Sequence, residues 1–202
     1  MRAGEGPAPA EMLIATTNPG KLDEIRALLE GAPARFRTLD EFPPVPEPEE
    51  TGRTFAENAL IKARAAAGAT GGTALADDSG IAAEALGGAP GVYSARYAGE
   101  GATDAENLAK LLRQAPAGSP VAYVCALAFV DPADGTEHVV EARCEGTLAA
   151  EPRGDGGFGY DPAFVPVEHP DRTMAELTEE EKGAISHRGR AARELRAWLA
   201  RR

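Results

Sequence analysis

Residues 73–80, T-A-L-A-D-D-S-G, combine an apolar run with two adjacent carboxylates and a Ser-Gly pair. The pattern predicts a short buried strand over residues 73–76 that ends in a turn. Consecutive residues of an extended chain point to opposite faces, so one of Asp77 and Asp78 is expected to face inward and the other a cleft. One carboxylate could then hold a metal or take a proton from water while the other braces the turn. The alternative is an Asx turn that merely ends a strand.

Length and composition predict one globular domain, or one domain with a smaller lobe. The chain has 202 residues, 43% hydrophobic and 26% charged, which is typical of folded proteins. Residues 1–11 lack the apolar core of a signal peptide and are expected to form a flexible extension. No apolar run approaches the roughly 20 residues that span a bilayer, so no membrane is expected. Cys125 and Cys144 lie in predicted strands without metal-ligand spacing, which suits buried free thiols in a cytoplasmic protein.

The acidic balance argues against a polynucleotide as the partner. The formal net charge is −11 and the isoelectric point about 4.8. No basic stripe offsets this charge, so a polyanion is repelled. A small anion remains possible, because a few local cations and backbone amides are enough to bind it.

The N-terminal part of the chain predicts an anion site. Residues 12–16 form an apolar strand, and T-N-P-G-K then leads into a helix over residues 21–30. Asn18 is a natural N-cap, and Pro19 is favoured at the first helical position. The free amides of the helix N-terminus, the helix dipole and the charge of Lys21 would all attract an anion. An ordinary capped turn between a strand and a helix is the alternative.

An acidic, proline-rich loop and a capped helix follow. The loop covers residues 43–50, and a capping box of Thr54 and Glu57 opens a helix over residues 55–67. The loop could be a solvated linker. Lys62, on the helix, is either a solvated charge or a ligand for phosphate.

Two long strands and a glycine-rich segment make up the next part. Residues 121–130 and 137–148 predict a β-hairpin across D-P-A-D-G. In residues 154–162, G-D-G-G-F-G-Y-D-P, glycine allows a ligand close to the backbone, and Phe158 offers a flat face to a base. A plain glycine-rich hairpin loop is the alternative.

A cluster of cations precedes the last predicted helix. Ser186 is the expected N-cap, which places His187 and Arg188 in the first turn, a short distance after Lys182. Positive charge there opposes the helix dipole. The cluster therefore suggests an anionic or acceptor-rich ligand.

Five motifs in this order give the chain a family resemblance. They are T-x-N-x-x-K at residues 16–21, E-T-G at 50–52, D-D-S-G-I with L-G-G-A-P-G-V-Y-S-A-R-Y across 77–97, G-G-F-G-Y-D-P-x-F at 156–164, and A-x-L-T-x-E-E-K-x-x-I-S-H-R-G at 175–189. Together they resemble the inosine/xanthosine triphosphate pyrophosphatase family, the HAM1-like pyrophosphatases of non-standard purine nucleotides. The chain departs from the family pattern at its N-terminal extension and at Thr17, where several relatives carry glycine.

The resemblance implies an α/β fold with an elongated, bent, mixed β-sheet and flanking helices, and a single domain over residues 12–202 with two lobes around a nucleotide cleft. It implies a homodimer that uses Mg²⁺ to hydrolyse ITP, dITP and XTP to the monophosphate and pyrophosphate. By position, Asp78 would be the general base and a metal ligand, with Glu49 or Glu50 as its acidic partner. The residues that would bind substrate are Thr16, Thr17, Asn18, Pro19, Gly20, Lys21, Ser79, Phe158, Gly159, Tyr160, Asp161, Lys182, His187 and Arg188.

The sequence leaves two alternatives to the hydrolysis of ITP, dITP and XTP. One is a related pyrophosphatase that acts on other modified nucleotides with the same class of fold. The other is a nucleotide-binding module without catalysis. The acidic set Glu49, Glu50, Asp77 and Asp78 argues against the second, because it would repel the anion that such a module has to hold.

Overall fold

The computed structural model describes residues 10–202. The strands are β1 (Ala10–Ile14), β2 (Ala34–Thr38), β3 (Ala74–Ala83), β4 (Pro120–Asp131), β5 (Thr136–Leu148) and β6 (Phe164–Pro166). The α-helices are α1 (Pro19–Leu28), α2 (Phe55–Thr70), α3 (Asp104–Gln114), α4 (Glu179–Ile185) and α5 (His187–Leu199), and a 3-10 helix covers Gly91–Arg96. Among the described helices, none is long and apolar enough to cross a membrane.

The strands form one mixed sheet in the order β2-β1-β3-β4-β5-β6. β1 pairs in parallel with β2 and β3, whereas the pairs from β3 to β6 are antiparallel. The predicted mixed α/β fold is therefore confirmed, as is the hairpin of β4 and β5. The predicted flexible extension is wrong for Ala10 and Glu11, which pair with β2 as part of β1. The rest of that extension, residues 1–9, lies outside the described residues.

The segment 77–80 is the middle of a strand and not a turn. β3 continues to Ala83, and Asp77 to Gly80 pair in register with residues 127 to 124 of β4, so the predicted turn is wrong. β4 offers a backbone partner to every one of these residues, and buried cations neutralise the carboxylates, so no solvent-exposed turn is needed. Gly80 serves close packing instead, because a Cβ there would lie 2.8 Å from the carbonyl oxygen of Gly91.

Both faces of the central strand β4 are covered. Val124, Ala126 and Ala128 pack on the side of α2, whereas Cys125 and Leu127 pack on the side of α1 and α5. This explains why β4 is buried almost without interruption from Val121 to Val130. The alternation also separates the carboxylates of β3, since neighbouring residues point to opposite layers of helices.

The predicted helix starts agree with the structure. Asn18 caps α1 by accepting from the amide of Lys21, Thr54 with Glu57 caps α2, and Ser186 caps α5. Predicted and observed ends differ by up to three residues, as with Thr70 of α2, because helix ends carry weaker sequence signals than caps do.

Candidate active site

Two adjoining cavities lie beside the turn that joins β1 to α1, with volumes of about 250 Å³ and about 90 Å³. Asn18, Lys21 and Ala95 line both, so the cavities form one continuous cleft. The larger cavity is bounded by the turn before α1, the acidic loop and α2, and we call it the acidic end. The smaller is bounded by the glycine-rich segment and the start of α5, and we call it the aromatic end.

The turn before α1 directs backbone donors and one cation at the point where the ends meet. Asn18 accepts from the backbone N–H of Lys21 at 3.0 Å, and its own N–H donates to Oγ1 of Thr16 at 3.2 Å. Thr16 and Thr17 line the acidic end. Gly20 lies against the ring of Phe158, since a Cβ there would approach Cδ1 of the ring to 2.8 Å. This close packing joins the turn to the glycine-rich segment.

Asp77 points into the layer of α1 and α5, where its carboxylate accepts from four side chains. Its side chain is buried and accepts from Lys21 at 2.6 Å, from Arg188 at 3.0 Å and from Ser79 at 2.8 Å. The thiol of Cys125 donates to it at 3.1 Å. Burial alone would raise the pKa of Asp77, but Arg188 and Lys21 outweigh burial and hold it well below its ordinary value. Asp77 therefore stays ionised and fixes two cations.

Asp78 points the other way, toward α2, as the alternation predicts. Its Oδ1 accepts from Lys62 at 2.7 Å and its Oδ2 from the amide of Asn58 at 3.3 Å. Burial raises the pKa of Asp78 above its ordinary value, although the nearby Lys62 works against that rise. A carboxylate with a raised pKa is a stronger base, so of the two aspartates Asp78 is the better suited to take a proton from water.

Glu50, and not Glu49, shares a cation with Asp78. Glu50 pairs with Lys62 at 2.5 Å and with Arg96 at 3.1 Å, whereas Glu49 is exposed on the loop. Oxygens of Glu50 and Asp78 thus converge on one ammonium nitrogen.

That position suits a hard divalent cation with oxygen ligands. Among residues 10–202 there is no cluster of three or more His, Cys, Asp and Glu side chains arranged for a metal. Two carboxylates would leave the other positions of a Mg²⁺ ion to water and phosphate oxygens, which is the arrangement that this ion favours.

The aromatic end holds one ring above two cations. Lys182 Nζ lies 4.9 Å and Arg188 Cζ 5.8 Å from the ring centroid of Phe158. Lys182 is buried and pairs with Asp161 at 2.7 Å, and Asp161 also accepts from the backbone N–H of Phe158 and from the hydroxyl of Tyr123. The glycine-rich segment is therefore anchored, with its ring facing the cleft.

His187 stacks on Tyr123 beneath this end, with centroids 4.6 Å apart. Burial, together with the charge of Arg188, holds the pKa of His187 well below its ordinary value. The imidazole is thus neutral at physiological pH. Its buried Nδ1 has no hydrogen-bond partner, so the tautomer with the proton on Nε2 avoids a buried, unpaired donor.

The structure brings most of the predicted site residues together. Those that line the cleft are Thr16, Thr17, Asn18, Lys21, Glu50, Ser79, Phe158, Gly159, Tyr160, Asp161, Lys182, His187 and Arg188. Pro19 and Gly20 shape the turn without lining either cavity. Asp78 does not line either cavity directly and adjoins the acidic end through its contact with Lys62, and Glu49 is exposed on the loop. Tyr160 donates its hydroxyl to the carbonyl of Ser94, which fixes the 3-10 helix.

Sequence reasoning missed three residues of the site. Glu24 pairs with both Lys182, at 2.5 Å, and Arg188; it lies three residues after Lys21, and this helical spacing could have revealed it. Asp104 accepts from the backbone N–H of Gly159 at 2.8 Å. Asn58 donates to Asp78; it lies four residues before Lys62 on the same face of α2, and this helical spacing could likewise have revealed it. For Asp104 no local signal exists, because the contact joins residues far apart in the chain.

Comparison with known proteins agrees with the five motifs. The model of the Ham1 family matches residues 12–198. The dITP/XTP pyrophosphatase of Streptomyces coelicolor is 51% identical over 91% of this chain and 94% of its own, and that of Geobacillus kaustophilus is 50% identical over 92% of both chains. Among solved structures, a HAM1 protein from Coxiella burnetii has a TM-score of 0.86 and 45% identity over 96% of this chain and 100% of its own. The family resemblance is confirmed, and the chain belongs to the Ham1 family.

Proposed function

We propose that this protein hydrolyses the non-standard purine nucleoside triphosphates ITP, dITP and XTP to the monophosphate and pyrophosphate, and so removes deaminated purines from the nucleotide pool. The observation that carries the proposal is the continuous cleft. A polar end with cations and carboxylates meets an aromatic end with further cations at Asn18 and Lys21. A nucleotide has the same two-part chemistry, a polyanion joined to a flat base.

The triphosphate is assigned to the acidic end and its junction with the aromatic end. There the turn formed by Thr16, Thr17, Asn18, Pro19, Gly20 and Lys21 supplies backbone donors, hydroxyls and one ammonium. The N-terminus of α1 adds the positive end of its dipole. A triphosphate carries about four negative charges, so charge neutralisation is the first requirement of this reaction.

Asp78 is assigned as the general base. Release of pyrophosphate requires water to attack the α-phosphorus, and a carboxylate beside the phosphates can orient that water and accept its proton. Glu50 and Asp78 would hold Mg²⁺, which when bound neutralises phosphate charge and polarises phosphate oxygens. Glu49 is exposed on the loop, so the ligand role is proposed for Glu50.

The base is assigned to the aromatic end. Phe158 would stack on it, with the chain through Gly159 and Tyr160 to Asp161 holding the ring in place. Lys182, His187 and Arg188 are donors, and Ser79 is fixed by Arg188 and Asp77. Hypoxanthine and xanthine present an acceptor oxygen at position 6 where adenine presents a donor amine. Buried donors therefore favour the oxygen and are left unpaired by the amine.

Assembly and location complete the proposal. Residues 12–202 act as one two-lobed domain in a homodimer, for which the exposure of Tyr93 and Val167 provides apolar surface. Light scattering that finds only a monomer of about 21 kDa at micromolar concentration would contradict the dimer.

Both cysteines are buried free thiols, which fits a reducing cytoplasm where nucleotide pools are kept. With a net charge of −11, no polynucleotide partner is proposed.

The test is a pyrophosphate-release assay over ITP, dITP, XTP, GTP, ATP and dUTP, with and without Mg²⁺. The proposal expects Mg²⁺-dependent release that is much faster for ITP, dITP and XTP than for the other three. Preference for a different modified nucleotide would support the related pyrophosphatase instead. Binding without release from any nucleotide would support the non-catalytic module.

A further inference from the structure

Lys62 occupies the point at which the two acidic residues of the site converge. Its Nζ lies 2.5 Å from Oε1 of Glu50 and 2.7 Å from Oδ1 of Asp78. The carbonyl oxygen of Asp77, at 3.5 Å, is the third acceptor. An ammonium group has three donors, so these contacts use all of them, and the side chain is only 15% exposed. Lys62 is therefore held as a built part of the site and is not a solvated surface charge.

The geometry makes Lys62 and a metal ion competitors. Glu50 and Asp78 are the carboxylates proposed to hold Mg²⁺, and Mg²⁺ binds oxygen at about 2.0–2.1 Å. An ion that takes both oxygens would stand almost where the ammonium nitrogen stands now. A metal ion and an ammonium group so close together would repel each other strongly in a partly buried site. Lys62 and the metal ion therefore compete for the same two carboxylate oxygens.

We propose that Lys62 is a positioning residue. In the metal-free enzyme its ammonium group occupies the place of the metal ion between Glu50 and Asp78, and it is displaced from both carboxylates when Mg²⁺ binds. The inference rests on the proposed metal site. Without a cation, the two carboxylates would repel each other across the end of the cleft. The ammonium keeps them together and, for that reason, lowers the affinity of the free enzyme for metal.

The surroundings allow Lys62 to move without leaving the cleft. Its side chain lines the acidic end, together with Thr16 and Lys21. Glu50 keeps a second cation when Lys62 leaves, because Arg96 pairs with its other oxygen at 3.1 Å. Displacement would thus move one positive charge toward the region assigned to the triphosphate. The expected consequence is that metal and nucleotide binding reinforce each other.

The test measures metal binding in the absence of nucleotide. Mn²⁺, as a paramagnetic substitute for Mg²⁺, is titrated into wild type, Lys62→Met, Lys62→Arg and Lys21→Met, with circular dichroism to check folding. Lys62→Met is expected to bind Mn²⁺ about tenfold more tightly than wild type, which corresponds to a site that Lys62 leaves open about a tenth of the time. Lys62→Arg keeps a cation between the carboxylates and should not gain affinity. Lys21→Met is the matched control, because it also removes a positive charge near Asp78, but from Asp77.

Unchanged or weaker Mn²⁺ binding by folded Lys62→Met would overturn the inference. An equal gain in Lys21→Met would also overturn it, because the effect would then be general loss of charge. If neither wild type nor Lys62→Met binds Mn²⁺, the metal site itself is wrong. Nucleotide hydrolysis, measured separately, tests the proposed function and can succeed when the exchange fails.

A measurement on the wild type avoids any folding defect of the variants. Amine-reactive labelling followed by mass spectrometry reports how accessible each lysine is. Addition of Mg²⁺ alone should raise the labelling rate of Lys62 several-fold and leave that of Lys21, which pairs with Asp77, nearly unchanged. A labelling rate of Lys62 that falls or stays constant at saturating Mg²⁺ would show that the ammonium is not displaced.

Discussion

Nζ of Lys21 lies 2.6 Å from Oδ1 of Asp77, and both side chains are largely withdrawn from water. The other carboxylate oxygen of Asp77 accepts from Arg188 at 3.0 Å. One buried carboxylate thus fixes Lys21, at the junction of the two ends of the cleft, and Arg188, at the aromatic end. A single side chain of β3 therefore joins the two cations.

Asp77→Asn should destabilise the protein and impair both ends of the cleft. The amide is isosteric but uncharged, so it would leave Lys21 and Arg188 without their shared anion. Breaking a buried pair on one side costs about 3–5 kcal/mol. We expect a loss of that order in the free energy of unfolding, measured by urea denaturation, together with a raised KM for ITP.

Cys125→Ser is the control for this variant. It replaces the thiol that donates to Asp77 with a hydroxyl, which is also a donor, and leaves both ion pairs in place. Its loss in the free energy of unfolding should be much smaller. Equal losses in the two variants would mean that packing at this point, and not charge, stabilises the site.

Stability should fall in two stages as the pH is lowered. Burial holds the pKa of His187 well below 6.5 in the folded protein. Below about pH 6.5 the histidine is therefore protonated in the unfolded chain but stays neutral in the folded protein, which lowers the free energy of unfolding. The pKa of Asp77 is likewise lowered well below 3.8, so its contribution is complete above about pH 3.8 and is lost below it.

Thermal denaturation from pH 4.5 to pH 8 tests the first stage. His187→Gln removes the titrating group and should flatten the slope of Tm against pH below about 6.5. The variant's overall stability does not matter for this comparison, because the slope is what reports proton uptake. An unchanged slope in His187→Gln would show that His187 is not the group responsible for the pH dependence.

Asp78→Asn should keep the fold and lose most of the turnover. The amide accepts from Lys62 but cannot take a proton from water, and loss of a general base lowers kcat by about 10²-fold or more. Pyrophosphate release from ITP measures the effect. Retention of more than roughly a tenth of the wild-type kcat would transfer the role of base to Asp77 or Glu50.

The sequence predicted the elements well, because their signals are local. Asn18, Thr54 and Ser186 each cap a helix where predicted, since a cap depends on a few neighbouring residues. The turn at 77–80 was predicted wrongly for the same reason. Asp-Asp-Ser-Gly is a turn by local preference, but pairing along β4 and the buried cations outweigh that preference.

The sequence predicted many of the residues of the site but not the ion pairs that join them. The five motifs contain many of the residues that line the cleft, yet the ion pairs of Arg188 with Asp77 and Glu24 join residues more than a hundred positions apart. No spacing rule reaches so far. The difference matters for experiments, because Arg188→Ala would leave the buried carboxylate of Asp77 and the half-buried carboxylate of Glu24 short of a partner. It would then report on folding as much as on the choice of base.

Phe158 and Lys182 offer a cleaner test of how the base is chosen. The ring of Phe158 is expected to stack on any purine, and stacking is worth about 1–3 kcal/mol per base. Phe158→Ala should therefore lower kcat/KM for ITP, XTP and ATP by a similar factor of roughly 5 to 150. The ratio of ITP to ATP should stay close to that of wild type.

Lys182→Met should change that ratio instead. Its ammonium lies 4.9 Å from the ring centroid of Phe158, and in the proposed binding mode it would donate to the 6-oxo group of hypoxanthine but could not donate to the amine of adenine. Removing the donor should lower kcat/KM for ITP far more than for ATP, because ATP never had that hydrogen bond to lose. The ion pairs with Asp161 and Glu24 are lost as well, so a fall in folding stability is expected alongside. Such a fall affects both substrates equally and cancels in the ratio. Equal losses for ITP and ATP would therefore assign Lys182 to the structure of the site and leave base selection to His187 and Arg188.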